Sequence, residues 1–471
     1  MKHGRDLTTG SIPRHLIAFS MPMLAGSALQ TGYSIINAVW VGRGLGTTAM
    51  AAVTVSFPIF FILMAVAFGL TMAASILTSQ SYGAKDWPYL KRVVHNSLIL
   101  TTVVGIAFTL VGHFSAEHLL RLIDTPREVL PMAAAYLRIF LWAMPFMFWS
   151  FLIASLLRGT GDSKTPLYFQ AVFVALTAVL DPLLMFGWLG FPKLGLNGTA
   201  VATIITNAGA VISMLVYLHL KDHSLAPDWL HLRADWETTW LTLRIGVPSM
   251  VQQGLVSIGA MVIIGLVNAY GENGAAAYGA AMRIDQLAFM PALTLGMAVS
   301  TLAGQNIGAK EYDRVKEVFR WGLVLSCGIT AVCSVLVVSI PGIILRAFLT
   351  DPVVIGVGVH YLRIVGAAYI LFAVMFVANG IINGSGHTLV TTLATFISIW
   401  LCRVPAAAYL SNHMHRIEGI WYGMVIGFAA GMAVSLAYYF TGRWKRPVSG
   451  RMPASEPRLT EIAPMPETLL E

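Results

Sequence analysis

The chain has 471 residues, of which 57% are hydrophobic and only 11% charged, and its mean hydropathy is +0.73. A soluble domain carries about 25% charged residues, so a chain this long and this apolar cannot clothe itself in polar groups and must face lipid. The net charge of +8 sits at the ends of apolar runs, which excludes a nucleic-acid module, and the three cysteines (Cys327, Cys333, Cys402) lie inside apolar runs, which excludes a disulfide framework or cysteine metal site.

Residues 1–14 are polar and hold no small-residue cleavage site, so the first apolar run is expected to be a retained span. Runs long enough to cross a bilayer as helices, about 20 residues each, are predicted at 15–39, 50–78, 93–113, 132–157, 166–188 and 196–220. A second set is predicted at 241–268, 275–303, 319–340, 358–382, 388–411 and 418–441. The expected fold is therefore all-α and integral to the membrane, with about twelve transmembrane helices, six per half. The expected divisions are an N-terminal lobe (15–220), a polar linker (221–240), a C-terminal lobe (241–441) and a disordered tail (442–471).

The first span carries Pro22, a candidate hinge because proline removes one helical hydrogen bond. Gln30, Tyr33 and Asn37 follow at i, i+3, i+7, so they form one polar stripe, a candidate cavity lining. In the fifth span Asp181 precedes Pro182, which frees the carbonyl of Ala178, and Thr177 lies one turn earlier on the same face. An ionised Asp at mid-membrane costs about 2.5–3.5 kcal/mol on insertion scales, so such a residue is a functional candidate by default. Thr199, Thr203, Thr206 and Asn207 lie in the sixth span, and Gln252 and Gln253 in the seventh. Of 22 acidic residues, only Asp181 and Asp285 fall well inside apolar runs. Asp285, near the start of the eighth span, is read as a second protonation site, a charge lining the cavity, or one end of an interhelical salt bridge.

The two halves repeat. Gln80 and Gly83-Ala84-Lys85 return 225 positions later as Gln305 and Gly308-Ala309-Lys310. Tyr136-Leu137-Arg138-Ile139 returns at the same offset as Tyr361-Leu362-Arg363-Ile364, and Gly159 and Gly161 return as Gly384 and Gly386. Pro22 returns as Pro248, one residue out of step. An even number of spans per half makes the repeats parallel, an arrangement found in secondary transporters. With the N-terminus inside, the inner segments carry 20 Lys and Arg against 6 in the outer ones. This bias places both termini in the cytoplasm, with the chain in the cell (inner) membrane.

The chain resembles the MATE family of multidrug and toxic compound extrusion transporters over about residues 10–441. The residues that carry the likeness are Tyr33 through Val41-Gly42-Arg43, Ala51-Ala52-Val53, Gln80 with Gly83-Ala84, and Arg158-Gly159-Thr160-Gly161-Asp162. They continue with Leu180-Asp181-Pro182-Leu183, Gly198 through Ala202-Thr203, Gly246-Val247-Pro248, Gly304 through Ala309, and Asn383-Gly384-Ser385-Gly386. The resemblance implies two six-helix lobes in a V, and export of organic cations or amphiphiles driven by inward H⁺ or Na⁺. It is most like the DinF-like branch, whose coupling site pairs an Asp on the first span with an Asp on the fifth. Asp181 matches the second; the first falls on Asn37, so one titratable group is missing. A residue that is often Asn, four before the fifth-span Asp, is Thr177. The NorM-like pattern places Na⁺-binding acids on the seventh and tenth spans, yet neither 241–268 nor 358–382 contains Asp or Glu, which favours protons.

The expected function is an H⁺-coupled antiporter exporting cationic, amphipathic compounds. Asp181, Asn37, Thr177, Thr199 and Thr203 form its candidate coupling site, and Gln30, Tyr33, Asn207, Gln252 and Gln253 line its cavity. Asp285 is the second coupling candidate. No cofactor beyond the coupling ion is expected, no nucleic acid, and a monomer in the bilayer. The alternative is a flippase for a lipid-linked saccharide or similar amphiphile, which calls for a cationic cavity; few basic residues (Arg138, Arg283, Arg363, Arg403) lie in spans. An enzyme is not expected: His413 and His415 form no catalytic constellation, and no Walker A motif occurs.

Overall fold

The computed structural model describes residues 4–446 and 448. The expected tail beyond Arg446, apart from Val448, lies outside the described residues; its first turn, Arg443–Lys445, is helical and buries Trp444. Among the described residues there are helices and no strands. In the first half these are α1 (Ile12–Leu45), α2 (Thr47–Gly83), α3 (Trp87–Leu122), α4 (Leu130–Leu141), α5 (Met144–Gly159), α6 (Lys164–Phe186) and α7 (Leu196–Leu220). The second half has α8 (Trp236–Asn268), α9 (Gly271–Gly308), α10 (Tyr312–Ser339), the short α11 (Pro341–Arg346), α12 (Pro352–Ala367) and α13 (Tyr369–Gly384). It ends with α14 (Thr388–Phe396), a π-helical stretch (Ile397–Arg403), α15 (Val404–Met414) and α16 (Glu418–Phe440).

Nine stretches among the described residues are long and apolar enough to span a membrane, and two bent pairs, α4–α5 (47°) and α12–α13 (42°), qualify together. That makes nine to eleven spans among the described residues; α1 has the length of a span, 34 residues, and stands where the first of about twelve was expected.

Both bends fall at the same place in the repeat and are served by the same chemistry. Pro145 has no N–H and leaves the Leu141 carbonyl free of its helical partner. The Thr109 hydroxyl of α3 donates to that carbonyl at 2.9 Å. In the second half Ser334 of α10, 225 positions later, donates to the Gly366 carbonyl at 2.7 Å. Helix starts are capped by short acids: Asp86 accepts from the Tyr89 N–H at 3.0 Å and Asp351 from the Val353 N–H at 2.8 Å. Asp235 caps α8 through the Thr238 N–H at 3.2 Å, and its hydrogen bond to the Thr238 hydroxyl holds its carboxyl below the ordinary range.

Each half lends its first helix to the other. The start of α1 (Ile12, Leu16, Phe19) packs in one apolar cluster with Val299 and Leu302 of α9, Val315 of α10 and Val377 of α13. The far end of α1 returns to its own half, where Val41 packs with Ala49, Leu120 and Met185. Likewise Ile245, early in α8, packs against Ala73, Ile76 and Leu77 of α2 and Val93 of α3. Ile263 and Val267, at its far end, join the second half's own core. Thus α1 and α8 cross the seam between halves, and each contains an internal proline, Pro22 or Pro248. Each helix continues through its proline as a single element.

Candidate functional site

Asp181 sits on α6 and is fully buried. Its Oδ2 accepts two hydrogen bonds from α1, one from the Tyr33 hydroxyl at 3.0 Å and one from the Asn37 side-chain amide at 2.9 Å. Tyr33 and Asn37 are one turn apart, so a single helix face delivers both donors. Oδ1 is buried and has no hydrogen-bond partner. Tyr136 of α4 lies within electrostatic reach of Asp181. No Lys or Arg forms an ion pair with Asp181 among the described residues. The site is thus one carboxylate with two donors on one oxygen and an open lone-pair oxygen on the other. An unmet buried acceptor costs about 1–3 kcal/mol, and Oδ1 is the oxygen left free to take a proton.

The other first-half candidates are placed differently. Thr177 spends its hydroxyl on the Phe173 carbonyl of its own helix at 2.6 Å. On α7, Thr199 donates to the Leu196 carbonyl at 3.0 Å, Thr203 to the Thr199 carbonyl at 2.8 Å, Thr206 to the Ala202 carbonyl at 2.8 Å and Asn207 to the Thr203 carbonyl at 2.9 Å. None of these side chains bonds Asp181; each is spent on a carbonyl of its own helix. Gln30 is exposed, one turn before Tyr33. Gln252 ties α8 to α14, donating to the Thr395 hydroxyl at 2.9 Å, and Gln253 beside it is half-buried. The first half has the matching tie in the reverse sense, Gln170 of α6 donating to the Gly26 carbonyl of α1 at 3.1 Å.

Asp285 lies on α9 in a different setting. Both of its oxygens are occupied: Oδ2 accepts from the Tyr361 hydroxyl and Oδ1 from the Tyr369 hydroxyl at 2.5 Å. Tyr278 and Trp421 stack beside them with ring centroids 5.5 Å apart, and the Tyr361 ring lies edge-on to Trp421 at 4.7 Å. Arg403, at the end of the π-helical stretch, is within electrostatic reach of Asp285. Its guanidinium carbon lies 4.7 Å from the Phe428 ring centroid, a cation–π contact. The interhelical salt bridge, one of the three readings of Asp285 from sequence, does not form among the described residues; the carboxylate instead joins α9 to Tyr361 of α12 and Tyr369 of α13.

Sequence reasoning gave no role to Tyr136, Tyr361 or Tyr369, and it weighed Arg403 only as one of the few basic residues in spans. A signal existed for two of them, since Tyr136 and Tyr361 head the repeated Tyr-Leu-Arg-Ile. In the second half that tyrosine meets Asp285, whereas in the first it packs on Phe60 at 6.3 Å, the residue 225 positions before Asp285. One scaffold therefore carries two different acids at two unrelated places. Among the described residues, no three His, Cys, Asp or Glu gather as a metal-binding group.

Comparison with known proteins adds to this geometry. The family model MatE matches residues 22–183 and again 248–409; the two segments begin at the two seam prolines, Pro22 and Pro248. The probable multidrug resistance protein YoeA of Bacillus subtilis (strain 168) is 38% identical over 433 residues, covering 91% of this chain and 94% of that protein. The probable multidrug resistance protein YpnP of the same organism is 33% identical over 440 residues, covering 93% and 97%. Among solved structures, a multidrug resistance MATE family transporter of the MOP superfamily in an outward-facing conformation superposes with a TM-score of 0.87. At 23% identity, with 95% of this chain and 99% of that one covered, it shares the fold.

Proposed function

The chain belongs to the MatE family of multi-pass membrane proteins, and on that premise we propose that it is a multidrug efflux antiporter in which a proton on Asp181 drives export of cationic, amphipathic compounds. The family and the names of its relatives support multidrug efflux; the coupling ion, the cargo's charge and the site residues are this reading's own. The observation that carries it is the asymmetry of Asp181: two donors from α1 on one oxygen, and a buried, unpartnered oxygen on the other.

A proton entering from the face opposite the termini binds Oδ1. The neutral carboxyl is a weaker acceptor than the carboxylate, since hydrogen bonds to ionised groups are roughly twice as strong. Tyr33 and Asn37 are then held less firmly, and the far part of α1 loosens from α6. The near part of α1 stays packed on the other half, so a change at Asp181 is passed to the seam through one helix. A cation in the cavity and a proton on Asp181 compete for the same negative charge, which makes the exchange obligatory. One proton for one monovalent cation is electroneutral, so ΔpH alone drives it at about 1.36 kcal/mol per unit. Asn37 in place of a second acid is consistent with a single proton per cycle. The positive-inside bias supports cytoplasmic termini in an inner membrane, and the chain acts as a monomer.

A flippase for a lipid-linked saccharide calls for free cationic groups in the cavity. Arg138 is paired with Glu117 at 3.3 Å and Arg403 lies over Phe428, so this reading stands second. The test uses purified protein in proteoliposomes with an imposed ΔpH or an imposed Na⁺ gradient, and a cationic dye added outside. Dye-driven collapse of ΔpH without a response to Na⁺ is the expected result. No response to either gradient would reject coupled cation exchange and bring the flippase forward.

A further inference from the structure

The repeat of Gln80 with Gly83-Ala84-Lys85 as Gln305 with Gly308-Ala309-Lys310 has no part in the coupling site. In the structure the two copies meet. At the face carrying both termini the ends of α2 and α9 are in backbone contact: a Cβ on Gly83 would lie 1.9 Å from the Gln305 carbonyl oxygen, and one on Gly308 would lie 2.0 Å from that of Gln80. Each glutamine reaches into the opposite half. Gln80 donates to the Gly384 carbonyl at 2.8 Å, and Gln305 donates to the Gly159 carbonyl at 3.0 Å. These partners are themselves the repeated glycines, so the lock is reciprocal.

The symmetry is broken at the two side-chain oxygens. Gln305 Oε1 accepts from the Leu7 N–H at 3.0 Å, whereas Gln80 Oε1 is buried with no partner. The bond to Leu7 belongs to a non-helical strap, residues 4–11, laid across the seam. The strap's Arg5 N–H donates to the Thr160 carbonyl of the first half at 2.9 Å. From the second half, Asn306 donates to the Leu7 carbonyl at 3.2 Å and Arg314 to the Gly10 carbonyl at 3.0 Å. The Leu7 side chain is fully buried among Leu302, Ala303 and Ile307. The Asp6 carboxylate holds the turn by accepting from the Thr8 N–H at 2.8 Å.

We propose that this seam is the gate closing the terminus-side face during alternating access, and that residues 4–11 are its bolt. For that face to open, α2 and α9 must part, and the strap, bonded to both halves, must first release one of them. Because the strap is neither in a span nor part of the coupling site, it can be undone without disturbing either. The inference rests on the transporter reading but on neither its ion nor its cargo.

The test uses the full chain in nanodiscs with Cys327, Cys333 and Cys402 replaced by Ala, and Ser79→Cys as reporter. Ser79 is 1% exposed and abuts Gly304 across the seam, so a maleimide reaches it only when the seam opens. Leu7→Asp removes the strap's apolar anchor, and the expected result is labelling faster by about tenfold, the factor that about 1.4 kcal/mol gives. Gln305→Glu keeps the acceptor for Leu7 but loses the donor to Gly159, and an increase is expected there too. Unchanged labelling in Leu7→Asp overturns the bolt, even if Gln305→Glu labels faster. Should Leu7→Asp fail to fold, unchanged labelling in Gln305→Glu overturns the gate. No substrate or ion gradient enters the assay, so it can fail while dye-driven ΔpH collapse stands, and the reverse.

Discussion

Replacing Gly83 by Ala is the smallest change that addresses the seam. The added carbon would fall 1.9 Å from the Gln305 carbonyl oxygen and 2.7 Å from its Cα. Carbon and oxygen do not approach much closer than about 3 Å in a packed interior, so α2 and α9 must separate by about 1 Å where they now touch. Both neighbours are backbone atoms of long helices, and no side-chain rotation relieves the clash. Overpacking of this kind costs about 1–3 kcal/mol, which lowers the ratio of closed to open seam by about 5- to 150-fold. Spin labels at Lys91 and Lys316, exposed and equivalent in the repeat, report the separation of the two halves at that face by pulsed dipolar spectroscopy. Gly83→Ala is expected to shift the distribution to longer distances. Gly254→Ala, where nothing lies within 4 Å of the new carbon, is expected to leave it unchanged. An unaltered distribution in Gly83→Ala, with the melting temperature retained, would refute the argument that this contact sets the closed state.

Three further outcomes are expected. Asp285→Asn leaves one oxygen to serve two tyrosine hydroxyls, so thermal melting in detergent should show a loss of about 1.5–3 kcal/mol, while dye-driven ΔpH collapse persists. Tyr33→Phe leaves Asn37 as the single donor to Asp181; the pH profile of exchange should move without exchange being abolished, whereas Gln253→Ala should leave the profile in place. Asp235→Ala removes the cap of α8 and should cost about 1 kcal/mol. The Asp235 carboxyl is held below its ordinary range in the folded chain, so its contribution is present at neutral pH and lost as pH falls through that lowered value. The difference in melting temperature between the two proteins should therefore narrow toward acid pH.

The fold was largely legible because lipid imposes a simple rule: every apolar run near 20 residues is a helix. The 225-residue offset supplied the two halves. The pairing of Tyr33 and Asn37 on one helix face was legible from spacing, and both donors do meet Asp181. The spacing could not show that Gln30, on the same stripe, stays clear of it, because helix rotation relative to α6 is set by packing. The Asp285 partners, 76 and 84 residues away, left no local trace apart from the repeated tyrosine. The exchange of α1 and α8 across the seam was also hidden, since an apolar face does not state which neighbour covers it. The repeated Gln and Gly residues were visible as a pattern, but their meaning needed the meeting of two chain segments that lie far apart in sequence.

The coupling claim is tested most directly by comparing Asp181→Asn and Asp285→Asn with the unaltered chain in proteoliposomes, reading ΔpH collapse on addition of a cationic dye. Asparagine keeps the size of Asp181 and an oxygen for Tyr33 but cannot carry the proton. Collapse is expected in the unaltered chain and in Asp285→Asn, and none in Asp181→Asn. Equal collapse in Asp181→Asn and the unaltered chain, with loss in Asp285→Asn, would contradict the assignment and move coupling to the second half.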